Sequence, residues 1–151
     1  MSLMTTFRAI LPCPRCGSSG NASILSRLGS KGATYRIGDC PGPDIPPVDF
    51  EDTSLIVRRP DPRESTHVLM SWTCESCGLE NFAEIVFADG CVRDIRGVDL
   101  DPATLSRIHY ISEDLLSMLE TIVGEPLTDD TGFRANWLDT LRAALLAGKR
   151  W

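Results

Sequence analysis

A chain of 151 residues, with 42% hydrophobic and 24% charged side chains, can bury a sizeable core and fold as one domain of ordinary size. Its net charge of −6 argues against a protein whose main task is gripping phosphate backbone, because that affinity comes from neutralising phosphates with Lys and Arg. No stretch approaches the roughly 20 consecutive apolar residues of a spanning helix, so no membrane association is expected.

Met1-Ser2-Leu3 before Met4 reads as an expression leader and stays outside the fold argument. Thr5 to Leu11 is an extended lead-in, kept out of the helical region at its end by Pro12. It delivers the chain into Cys13-Pro14-Arg15-Cys16-Gly17. Ala22–Leu28 and Ala33–Ile37 then read as a hairpin around the Gly29-Ser30-Lys31-Gly32 turn. From Gly38 to Ser54 four prolines fall among acidic residues, a composition that forms neither ladder nor helix and implies a surface loop. Thr53–Arg59 and Thr66–Cys74 read as a second hairpin across Pro60-Asp61-Pro62-Arg63, with Val68, Met70 and Trp72 on one face of its second strand.

That strand runs straight into Cys74-Glu75-Ser76-Cys77-Gly78. Asn81–Ala88 and Cys91–Val98 flank Asp89-Gly90, the strongest short hairpin signal in the chain, with Ala83, Ile85 and Phe87 facing the core. At Asp101-Pro102 the period changes to helical: Asp101 caps and Pro102 suits the first position of a short helix running toward Ile108. Ser112 caps a second helix carrying Leu115, Leu116, Leu119, Ile122 and Val123, stopped by Gly124 and Pro126. A third spans Phe133, Trp137, Leu138, Leu141, Ala144 and Leu145 and ends at Gly148. The predicted architecture is α+β, with an antiparallel sheet over residues 4–100 and a C-terminal helical part over 101–151 packed on it.

Cys13, Cys16, Cys74 and Cys77 are the residues that carry chemistry. Two C-x-x-C-G turns offer four sulfurs, the complete shell of a structural zinc, and each following glycine can take positive φ and aim backbone N–H groups at sulfur. The insertion between the turns exceeds the usual 15 to 20 or so residues, but loop-closure entropy grows only logarithmically with length. A filled shell leaves no open position for water, which argues against a catalytic ion. Turn and strand residues, rather than a helix, follow each motif, which argues against a disulfide oxidoreductase. One structural zinc ion is therefore the expected cofactor.

The remaining candidates have blander readings. Cys40 reads as an exposed thiol and Cys91 as a small buried apolar residue, with no second metal site expected from them. His67 and His109 have no ligand or acid at a suitable spacing and read as ordinary surface or core histidines. Arg58, Arg59 and Arg63, with Lys31 and Arg36, form a possible anion patch, for which a solvated turn is the simpler account. The acidic Asp39, Asp44, Asp49, Glu51 and Asp52 read as a solvated run, and Trp137 and Trp151 as core and tail. No nucleophile–base pair, phosphate loop or carboxylate pair stands at meaningful spacing, so an enzyme is not expected. Metal-type C-x-x-C pairs with no leader-like apolar start point to a cytoplasmic protein.

The C-P-x-C-G and C-x-x-C-G pair, the Tyr35-Arg36-Ile37-Gly38-Asp39 segment, and Glu84-Ile85-Val86-Phe87-Ala88-Asp89-Gly90 followed by Val92 resemble a loose group of mostly uncharacterised bacterial zinc-ribbon proteins. The resemblance covers Cys13 to Val98. It implies an expanded zinc ribbon with the four cysteines as ligands, and some members look like small accessory or immunity-type proteins that bind another protein. A protein partner is thus the leading expectation. A nucleic-acid-associated ribbon using the arginines near Arg58, and an enzyme with a pocket under the proline-rich loop, are the alternatives.

Overall fold

The computed structural model describes residues 5–26, 33–40 and 54–151. In β1 (Thr5–Pro12) the period-two alternation sends Thr5, Phe7 and Leu11 inward and Arg8, Ile10 and Pro12 outward. β2 (Ser19–Ser26) pairs with it antiparallel along its whole length, from Thr5↔Ser26 to Pro12↔Ser19, which sets Ala22 and Ile24 beside Leu11 and Phe7 on the buried face. β3 (Thr34–Arg36) joins the other edge of β1 in parallel. The expected hairpin between the second and third extended segments is therefore not formed. The first cysteine turn is itself the hairpin connection, because eight residues of matched alternation on either side outweigh three residues beyond the glycine turn. That glycine turn, Lys31, the leader, and Asp44, Asp49, Glu51 and Asp52 of the proline-rich stretch lie outside the described residues.

The second sheet runs in the order β4 (Ser54–Ile56), β8 (Tyr110–Ser112), β5 (Thr66–Thr73), β6 (Glu80–Ala88), β7 (Cys91–Val98). β5, β6 and β7 form the expected meander, and Asp89 and Gly90 turn it with φ of 53° and 74°. The expected hairpin of β4 with β5 is not formed: β8 inserts between them, antiparallel to β4 and parallel to β5. Tyr110-Ile111 has the aromatic and β-branched character of a strand, and His109 extends the insertion by donating to the His67 carbonyl at 2.9 Å and accepting from Val57 at 2.8 Å.

Asp101 caps α1 (Pro102–Arg107) by accepting from the Thr104 amide at 2.8 Å, as expected. Ser112 caps a single 3₁₀ turn that leads into α2 (Leu116–Val123), which Gly124 ends at φ 85°. α3 (Trp137–Leu146) begins after Phe133 rather than at it, since Gly132–Phe133 pairs with Thr128–Asp129 as a two-residue ribbon (β9 and β10).

The five-stranded sheet is the middle of three layers. One face, carrying Val68, Met70, Trp72, Ala83, Ile85 and Phe87, packs on Phe7, Leu11 and Ile24 of the three-stranded sheet. The other, carrying Leu69, Phe82 and Ile111, packs on Leu105, Leu115, Leu119, Leu141 and Leu145 of the helical side. Residues 81–87 of β6 are consequently buried on both faces, where alternation had marked only Ala83, Ile85 and Phe87 as inward. The architecture is α+β.

Candidate metal centre

The two cysteine turns are built alike. Each closes an antiparallel pair: Pro12↔Ser19 brackets the first and Thr73↔Glu80 the second. In the first, Cys13 donates its amide to the Ser18 carbonyl at 2.8 Å and accepts from Gly17 at 2.9 Å; in the second, Cys74 donates to Leu79 at 3.0 Å and accepts from Gly78 at 2.8 Å. Gly17 and Gly78 sit at φ 75° and 72°, a left-handed conformation that a Cβ would strain. Because the turns end strands of different sheets, the packing of one sheet on the other brings them together.

Four sulfurs meet there. Those of Cys13, Cys16, Cys74 and Cys77 all lie within 4.8 Å of one another, with Cys13–Cys77 and Cys16–Cys74 each at 3.7 Å. Cys13 and Cys74 are buried and Cys16 is exposed. The backbone amide of Arg15 donates to Cys13 Sγ at 3.4 Å, and the side-chain amide of buried Asn81, on β6, reaches the same sulfur at 3.7 Å. Burial opposes ionisation of Cys13, but the Cys16 and Arg15 amides and the neighbouring thiols outweigh it and bring its thiol down to about 6. The Leu79 amide favours the Cys77 thiolate, yet burial and the sulfurs of Cys13, Cys74 and Cys16 push Cys77 up to about 11. Four sulfurs this close cannot all ionise without a cation among them. The structure thus brings the four cysteines expected as ligands into one cluster whose geometry could hold a metal ion.

A cleft of about 690 Å³ opens beside the cluster, between the tip of the first turn, the start of β6 and the residues after β7 and α3. Its rim carries Arg15, Leu79 and Trp151, the last two 46% and 37% exposed. Trp151 is held by its indole N–H, which donates to the Glu80 carbonyl at 2.7 Å, and by an edge contact with Phe82; the Arg15 guanidinium lies 5.9 Å from its ring centre.

The other sequence candidates fall elsewhere, and several are corrected. Cys40 and Cys91 are neither a free thiol nor a buried apolar residue; they are bonded to each other as a disulfide. His67 and His109 have acidic partners in space that sequence spacing hid. His67 Nδ1 meets Glu84, a carboxylate with no exposed surface, which also accepts from Arg96 Nη2 at 2.9 Å and Arg107 Nε at 2.9 Å. Burial raises Glu84, but Arg107, His67 and Arg96 outweigh it and hold its carboxyl at about 2. His109 Nδ1 accepts from the His67 amide at 3.0 Å, and its Nε2 faces both Arg58 Nη2 at 2.9 Å and Glu64 Oε2 at 3.2 Å. Burial lowers the pKa of His109.

Arg58 is taken up by both oxygens of Glu64, at 2.9 and 3.1 Å, and so does not stand in an unpaired basic patch. This bond, with the Asp61 amide, holds Glu64 at about 2. Asn81 and Glu84 had no signal in the sequence beyond being polar residues in an apolar strand.

No helix of the described residues is long and apolar enough to cross a membrane. No protein-family model matches the chain, and no curated protein or solved structure shows significant similarity to it.

Proposed function

We propose that the chain is a non-catalytic protein-binding module of the bacterial zinc-ribbon kind, in which Cys13, Cys16, Cys74 and Cys77 hold one structural zinc ion. The observation that carries the metal assignment is the sulfur spacing. A tetrahedral ion with zinc–sulfur bonds of about 2.3 Å has sulfurs about 3.8 Å apart, and two sulfur pairs here stand at 3.7 Å. Four thiolates complete the shell, so the ion's contribution is cross-linking and folding free energy rather than activation of water.

The binding role is supported by the cleft beside the cysteine cluster, whose lining includes Arg15 and Trp151, residue types enriched where interfaces are anchored, together with the exposed Leu79. Pairing of Arg58 with Glu64 weighs against a phosphate-gripping surface at that hairpin end. Native mass spectrometry of the chain recovered from its host tests both halves. One zinc and one stoichiometric partner are expected, with the partner but not the zinc lost in Leu79→Asp. A partner retained by that variant places binding elsewhere; zinc with no partner and salt-sensitive retention of DNA or RNA would favour a nucleic-acid role instead.

A further inference from the structure

The chain has a second cross-link between its two sheets, at the opposite end of the β6–β7 hairpin from the cysteine cluster. The nine residues of β6 span about 30 Å. At the cluster end Phe82 pairs with Val98; at the turn end Ala88 pairs with Cys91, and Cys91 is bonded to Cys40, 51 residues earlier. Cys40 follows β3, which belongs to the three-stranded sheet. Around the bond, Gly38 donates to the Val92 carbonyl and Val92 donates to the Asp39 carbonyl, both at 2.7 Å, while the Asp39 carboxylate accepts from the Arg36 amide at 2.7 Å. The disulfide therefore does at this end what the metal cluster does at the other. Their exposure differs: Cys40 is exposed and Cys91 half-buried, whereas two of the four cluster sulfurs belong to buried residues.

We propose that Cys40–Cys91 is a reversible redox modification site, opened by a dithiol reductant and chemically independent of the cysteine cluster, that latches the β3 end of the three-stranded sheet onto β7. One thiolate of the reductant attacks the exposed Cys40 sulfur, the S–S bond breaks, and Cys91 leaves as a thiolate and takes a proton. The second thiol of the reductant then attacks the mixed disulfide and frees Cys40 as a thiol. Two electrons and two protons pass to the protein, and the reductant leaves as its own disulfide. Opening removes the covalent tie and leaves the two backbone hydrogen bonds at Val92 to hold Gly38 and Asp39. The inference rests on Cys40 and Cys91 alone and stands whatever ion the cluster takes.

The test is titration of the metal-loaded protein with dithiothreitol, counting native thiols by maleimide labelling and mass, with metal content and hydrogen exchange read on the same samples. Two thiols, Cys40 and Cys91, are expected to label while metal stays bound. Amide exchange at Gly38 and Val92 should quicken about tenfold or more while the Cys13 and Gly17 amides stay protected. Oxidised glutathione should reverse both effects, and the Cys40→Ser/Cys91→Ser double variant should match the reduced protein. Labelling of four or more thiols together with metal loss would overturn the independence of the two sites. Resistance to reduction until the fold melts, or exchange unchanged on opening, would show a structural disulfide and overturn the latch.

Discussion

The two ends of the sheet sandwich are fastened by different chemistry. At one end two near-identical turns, each with its own internal hydrogen bonds and left-handed glycine, present four sulfurs to a common centre. At the other end a single bond joins Cys40 to Cys91, backed by one reciprocal pair of backbone hydrogen bonds. The first fastening is pre-shaped locally and gathers four sulfurs that could all ionise only around a cation; the second is shaped only by the fold and needs an oxidant. Between them, Glu84 takes the guanidinium groups of Arg96 on β7 and Arg107 on α1 and meets His67 on β5, which ties the helical layer to the middle sheet without any cross-link.

Breaking the metal end should have the largest effect. Cys77→Ser leaves three sulfurs, and since structural zinc sites supply on the order of 10 kcal/mol, the cluster end should unfold and metal content should fall to near zero by atomic absorption. Next comes the buried carboxylate. Glu84→Ala removes the shared partner of Arg96, Arg107 and His67 and, because both arginines reach solvent, should cost about 2 to 4 kcal/mol in urea unfolding with metal retained.

The same residue sets a pH response. Its carboxyl lies at about 2 in the folded chain against an ordinary 4.5, so its stabilisation is full above about pH 4.5 and is lost as pH falls toward 2. The urea midpoint of Glu84→Gln should therefore drop less than that of the parent over that window. Removing the disulfide with Cys40→Ser/Cys91→Ser should cost about 2 to 4 kcal/mol by unfolded-chain entropy for a closure of 51 residues, in a thermal melt that leaves metal binding intact. The smallest effect is expected from Asn81→Ala, which removes a donor 3.7 Å from Cys13 Sγ: stability should change little, while metal release to a chelator should quicken about 10- to 100-fold.

The asymmetry between the ends also explains what the sequence could reveal. The cysteine turns, the Asp89-Gly90 turn, the Asp101 cap and the Gly124 stop were legible because each is specified within five residues by sterics and hydrogen bonding. Strand partners were not. The glycine turn at 29–32 competed with a cysteine turn that is not a standard hairpin signal, and β8 is a three-residue strand set between two helix signals. Glu84 looked like a solvent-facing residue of an amphipathic strand, since nothing local announces that helices cover that face. The Cys40–Cys91 bond is invisible to spacing rules. It also removes one support for a cytoplasmic setting, which rested on reading the cysteines as metal ligands or inert thiols.

X-ray absorption at the zinc edge on protein purified without added metal tests the central claim most directly. One zinc per chain surrounded by four sulfurs at about 2.3 Å is the predicted result. A metal-free chain that keeps its fold with all four cluster cysteines reduced, or one with Cys13, Cys16, Cys74 and Cys77 paired as disulfides, would contradict it.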